Sequence, residues 1–124
     1  MEKTRGSLTA AVQDSADKQV HGAIRVLVPL NRRKEALSIL RSMIEQTKLE
    51  PGCISCRLYQ DVQEERAIML EEIWASESDL HRHLRSSKFY TVLLVVEMAV
   101  EPPEIRFDVI AHSTGLETIE RTRT

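Results

Sequence analysis

Glu50-Pro51-Gly52-Cys53-Ile54-Ser55-Cys56-Arg57-Leu58-Tyr59, then Ala67-Ile68-Met69-Leu70-Glu71-Glu72-Ile73-Trp74-Ala75-Ser76, is the stretch that decides the architecture. Pro51-Gly52 breaks the chain, after which Ile54, Cys56 and Leu58 alternate with Cys53, Ser55, Arg57 and Tyr59. A two-residue period is that of a strand. The polar run Asp61 to Arg66 reads as the turn of a hairpin. On the returning strand Ile68, Leu70, Glu72 and Trp74 share one face, and Ala67, Met69, Glu71 and Ile73 the other. Apolar residues on both faces predict that both are covered. Ser76, with Asp79 three residues on, is close to a capping box and starts a helix whose stripe holds Leu80, His83, Leu84 and Ser87.

Upstream, Ile24, Val26, Val28 and Leu30 alternate with Arg25 and Leu27, predicting a first strand that Pro29 ends or marks as an edge. Asn31 is placed to cap a helix whose Leu37, Leu40, Met43, Ile44 and Thr47 recur at three and four. Arg32, Arg33 and Lys34 lie near the positive end of that helix, where they oppose its dipole. Downstream, Phe89 to Val100 is apolar nearly all round. Phe89, Val92, Leu93, Val96 and Val100 make one helical face; Leu94, Val95, Met98 and Ala99 fill the rest. Such a helix needs cover on every side, and a partner subunit is the simplest source. A split or kink is expected at Ser86-Ser87. Pro102-Pro103 stops the helix, and Ile105, Phe107, Val109 and Ala111 alternate with Arg106, Asp108 and Ile110 in a last strand.

The order β, α, β, β, α, β predicts an α+β, ferredoxin-like fold, an antiparallel four-stranded sheet with helices on one face. Its other face would carry Leu27, Ile73 or Trp74, and Ile110 beside charges. That mixture suits a second sheet better than water, so two copies are expected to close a dimeric α/β barrel by isologous contact.

A chain of 124 residues forms one domain, read here as residues 23–112. Residues 1–22 are a polar arm with too few aliphatic side chains to offset their ordering entropy, and 113–124 a polar tail with Leu116 and Ile119 at helical spacing. A formal charge of −2 gives no electrostatic reason to expect nucleic acid or an acidic membrane. No segment approaches the roughly 20 apolar residues of a membrane span, and the first residues form no apolar leader, so a cytoplasmic protein is expected. Cys53 and Cys56 are too close in sequence to staple distant parts of the chain.

The motifs Glu50-Pro51-Gly52-Cys53-Ile54-Ser55, Leu58-Tyr59-Gln60-Asp61, Glu72-Ile73-Trp74, and His83-Leu84 followed by Ser87-Lys88-Phe89 resemble, in order and spacing, those of the antibiotic biosynthesis monooxygenase family. The resemblance runs from about Ala23 to Ala111. It implies a homodimer, or a higher assembly of such dimers, that oxygenates a quinol or polycyclic phenol with no metal and no cofactor. The deprotonated substrate itself reduces oxygen in that chemistry, and the protein supplies an apolar pocket and a few polar groups. Haem-cleaving relatives of the same fold carry an Asn on the first strand and a Trp and a His on the second helix. Here no Asn lies within Ile24 to Leu30, His83 stands where that Trp would be, and Leu93 where that His would be. A non-catalytic dimer that binds a small molecule or serves assembly is the alternative, because fold does not fix reaction.

His83 is the candidate catalytic residue, since its stripe points toward the sheet and an ordinary pKa of about 6.5 suits proton transfer. His81, about 200° away around the helix, faces solvent. Trp74 is a candidate wall for an aromatic substrate as well as a core residue. Glu72 shares its face and, if buried, needs Arg57 or His83 as partner. Tyr59 and Arg57 project together and could bind a phenolate oxygen or line the dimer interface. The Cys53-Ile54-Ser55-Cys56 spacing suggests a metal or redox motif, but residues three apart on a regular strand point to opposite faces, so no metal site is expected.

Overall fold

The computed structural model describes residues 18–124; most of the expected polar arm lies outside the described residues. Four strands and four helices follow in the order β1 (Val20–Leu27), α1 (Leu30–Thr47), β2 (Cys53–Gln60), β3 (Ala67–Trp74), α2 (Glu77–Leu84), α3 (Ser87–Val96), β4 (Glu104–Val109) and α4 (Leu116–Thr122). The strands form one antiparallel sheet in the order β2-β3-β1-β4, the ferredoxin-like arrangement the sequence predicts. β1 begins at Val20, ahead of the alternation that marks it in the sequence, because Val20 pairs with Trp74 on one side and Val109 on the other.

One sheet face is covered by α1 and α3. Ile24 and Val26 of β1, Ile68 and Leu70 of β3, Leu40 and Met43 of α1, and Val92 and Val95 of α3 form a single buried cluster. Their side chains recur at two in the strands and at three or four in the helices, which is why these segments fold as they do. A second, smaller cluster joins Val20, Trp74 and Leu80 at one end of the sheet.

The structure corrects several local expectations. Asn31 lies inside α1 rather than capping it: the helix starts at Leu30 after Pro29, and no side chain caps it. Trp74 belongs to the helix-covered face, fully buried, so the open face takes Ile73 and not Trp74. The helical stretch after β3 splits at Ser86, as expected, but its apolar second part ends at Val96. Val92 and Val95 are buried within the chain's own fold, whereas Leu93 is 42% exposed. On β4 the residues Ile105, Phe107 and Val109 pair with Ile24, Gly22 and Val20 and so share the helix side, yet they remain exposed at the sheet edge. The expected tail contains the helix α4 with Leu116 and Ile119 both exposed.

A bulge between Cys53 and Ser55 overturns the alternation argument for the cysteines. Cys53 pairs with Trp74 and Cys56 with Glu72, so both thiols face the helices. The extra residue of a bulge shifts the phase of every side chain beyond it.

Gly52 makes the turn into β2, with φ +84°, and its carbonyl accepts the N–H of Ala75 at 2.8 Å. A Cβ there would overlap the side chain of Asp79 as well as strain the backbone. Gly52→Ala is expected to lower unfolding free energy by about 1–3 kcal/mol, read as a lower urea midpoint at unchanged slope. A variant as stable as the native chain would refute this account of the turn.

Candidate functional site

Ser76 caps α2, its Oγ accepting the N–H of Asp79 at 3.2 Å. The helix thereby starts at a fixed point and presents Leu80 and His83 inward, while His81 is exposed. His83 is 0% exposed. Its Nδ1 lies 3.1 Å from both carboxylate oxygens of Glu50, and its Nε2 3.2 Å from Glu72 Oε2. An ionised carboxylate only accepts, so a ring facing one on each side must donate from both nitrogens. The arrangement favours the imidazolium form of His83. Burial alone would pull its pKa down, but the hydrogen bond and charge of Glu72, followed by those of Glu50, outweigh it and raise the pKa above the ordinary value. Lys88 Nζ stands 3.8 Å from Glu50 Oε2, so two carboxylates face two cations and the cluster is formally neutral.

Trp74 completes the group. Its indole lies against the imidazole at 4.7 Å between ring centroids, tilted by 31°, and its Nε1–H donates to Glu72 Oε1 at 2.9 Å. Both Glu72 oxygens are thus engaged. Phe89 meets the other part of the His83 ring edge-on at 5.5 Å. The two thiols lie close enough to feel the same carboxylates: burial, then Glu72 and Glu50, pushes Cys53 up to about 11, and burial leads again in raising Cys56 further. Both are free and protonated at neutral pH. Among the described residues no set of three or more His, Cys, Asp or Glu side chains is arranged to hold a metal ion.

The five residues singled out from the sequence fall on two faces. His83, Trp74 and Glu72 come together under the helices. Tyr59 and Arg57 stand on the open face, paired across the sheet with Met69 and Glu71. There Tyr59 donates to Glu71 Oε1 at 3.1 Å, and His21 Nε2–H to Glu71 Oε2 at 2.9 Å. The His21 hydrogen bond leads in holding Glu71 below the ordinary carboxylate range, with help from Tyr59 and Arg57 against partial burial. On the same face Arg25 makes a separate pair of contacts, to Asp61 and Glu104.

Sequence reasoning missed Glu50 as a partner of His83, and His21 and Glu71 on the open face. Glu50 is 33 positions from His83 in the chain. Its place before Pro51-Gly52 marks a turn, but nothing local says which helix that turn will meet.

The enclosed space between the helices and the sheet is small. Ile24, Leu40, Leu70, Val92 and Val95 line an apolar cavity of about 10 Å³ between α3 and the sheet, room for one water-sized sphere. Leu70 is two residues from Glu72 on the same strand face, so this apolar layer adjoins the carboxylate. A larger hollow of about 210 Å³ opens on the other side of the chain beside Arg25, Tyr59, Asp61 and Met69.

Fold and site together define a small α+β protein with a buried His–carboxylate pair beneath an apolar helix–sheet layer. Residues 20–93 match the antibiotic biosynthesis monooxygenase (ABM) family, and the chain belongs to it. Among curated proteins it is similar to the uncharacterized protein sll1783 of Synechocystis sp. (strain ATCC 27184 / PCC 6803 / Kazusa), 28% identical over 102 residues, which cover 82% of this chain and 69% of that protein. Among solved structures it is similar to a conserved protein from Methanosarcina mazei Go1, with TM-score 0.70, 24% identity, and coverage of 78% of this chain and 97% of that one. Rv0793 from Mycobacterium tuberculosis is alike to the same degree, with TM-score 0.70, 22% identity, and coverage of 78% and 99%. Identity at this level carries the fold. No helix among the described residues is long and apolar enough to cross a membrane.

The His83 clasp makes stability depend on pH in a definite direction. Its folded pKa exceeds the unfolded value of about 6.5, so its contribution is complete below that value and is lost as pH rises through the folded one. Urea unfolding at about pH 6 and about pH 9 should show this loss, and His83→Gln should lack that component of the slope. The same substitution removes the cation between two nearly buried carboxylates and should cost about 3–5 kcal/mol at the lower pH. Identical pH slopes in the two proteins would show that His83 is not held charged.

Proposed function

We propose that the chain is a cofactor-independent oxygenase of the ABM type that acts on a quinol or polycyclic phenolic small molecule, and that it works as a homodimer in the cytoplasm. Membership of the family supports the reaction class. The observation that carries the site is the His83–Glu72 contact at 3.2 Å, walled by Trp74 and adjoining the apolar layer under α3. An activated ring CH₂ or phenol gives its proton to the His83–Glu72 pair, the role for which His83 is the candidate. The substrate anion transfers an electron to O₂, the two radicals join as a peroxide anion that takes the proton back from the pair to become a hydroperoxide, and loss of water leaves a carbonyl. One oxygen atom stays on the product and the other leaves as water, so no external reductant is needed. A ring system enters only if α3 swings away from the sheet, and the break at Ser86 is the natural hinge.

Tyr59 and Arg57, on the opposite face, serve the dimer in this reading. Leu27, Met69 and Ile73 lie on the open face beside the His21–Glu71–Tyr59 net, a mixed surface that a second sheet would cover. Ile73→Asp would put a charge into that contact. The native chain is expected to sediment as a dimer and the variant as a folded monomer at the same concentration; a native monomer at micromolar concentration would remove this part of the proposal.

Oxygen uptake with a panel of quinols and anthrone-like compounds tests the reaction. Turnover by the native chain should fall roughly 10²-fold or more in His83→Gln and in Glu72→Gln. Uptake that persists unchanged in both would refute the site, and no uptake across the panel would refute the oxygenase. A second reading, a non-catalytic binding or assembly dimer, is favoured by the complete burial of His83 and Trp74 and by the small size of the cavity under the helices.

A further inference from the structure

A buried ring that changes its charge needs a way to exchange a proton with water. The polar and aromatic partners of His83 come from three places in the fold. Trp74 and Glu72 approach from β3, Phe89 from α3, and Glu50, which Lys88 of α3 meets in turn, from the turn between α1 and β2. Cys53 and Cys56 lie nearby on β2, both protonated and both still in the field of Glu72 and Glu50. Trp74 and Phe89 carry no exchangeable acid. Glu72 has a side chain only 3% exposed and spends its oxygens on His83 and Trp74. Glu50 differs on both counts: its side chain is 11% exposed, and both its oxygens lie 3.1 Å from His83 Nδ1.

We infer that Glu50 is the port through which His83 gains and loses its proton, a positioning and relay residue that sets the charge beside Glu72. The step balances simply. The Nδ1–H bond breaks as an O–H bond forms on Glu50, the Glu50 carboxylic acid releases that proton to water, and His83 is left neutral with Nε2–H still donated to Glu72. Lys88, 3.8 Å from Glu50 and about one-third exposed, pairs with the carboxylate and keeps it from swinging into solvent. Once His83 is neutral, Glu72 no longer faces a full positive charge, which changes the pair that would take a substrate proton. The port stands without the oxygenase reading; only this consequence for turnover rests on it.

The test reads His83 itself. Proton NMR follows exchange of its two ring N–H groups with water in the native chain and in Glu50→Gln, whose amide oxygen still accepts from Nδ1–H but takes no proton. Nδ1–H exchange in the native chain should be insensitive to low urea, showing a local route, and should slow by about tenfold or more in Glu50→Gln. Glu50→Asp, which keeps a carboxylate, should restore part of the rate. Equal exchange in the native and Gln chains would overturn the assignment. So would native exchange that accelerates with urea in step with global unfolding, a result that needs no variant to fold. Oxygen uptake is measured separately, so an inactive chain with Glu50-dependent exchange would sink the oxygenase and leave the port standing.

Discussion

The salt-linked imidazolium of His83 is the contact on which the arrangement of this chain depends. It joins the turn before β2 through Glu50, the third strand through Glu72 and the second helix through its own backbone. Phe89 brings the third helix against the same ring. Two carboxylates in a nearly dry place would repel and carry a heavy desolvation cost without the cation between them. With it, each charge has a partner and a hydrogen bond, and Trp74 closes the only remaining oxygen of Glu72. The apolar clusters supply the driving force for folding, but they are non-directional. The clasp fixes how the α2–α3 pair sits on the sheet.

That placement gives the sheet two unlike faces. Under the helices, Ile24, Leu40, Leu70, Val92 and Val95 leave almost no empty space, and the polar group at their end is fully satisfied. On the open face, His21, Glu71, Tyr59 and Arg57 form a half-exposed polar net among Leu27, Met69 and Ile73. A buried ionic group beside an apolar layer offers strong fields in a low dielectric. A mixed open face offers specificity for another surface. In the proposed reading, chemistry falls to one side and association to the other.

The candidate site was partly legible in the chain. His83 could be aimed inward from its stripe with Leu80, and Glu72 and Trp74 shared a strand face by parity alone. Their meeting follows once α2 returns over β3. Glu50 was not legible, since a turn residue 33 positions away reaches the ring only after the sheet has formed. Nor were the faces of the cysteines, because the bulge after Cys53 breaks the parity on which any strand argument rests.

By itself the sequence determined the element order, the capped start of α2 at Ser76, the break at Ser86 and the ferredoxin-like sheet. These rest on local periods and local hydrogen bonds, which neighbouring residues specify. Only the tertiary structure decided the side of Trp74, the exposure of Leu93 and the β4 apolar residues, and the two-carboxylate hold on His83. Those depend on which distant groups share a volume, and burial, unlike periodicity, belongs to the assembled chain.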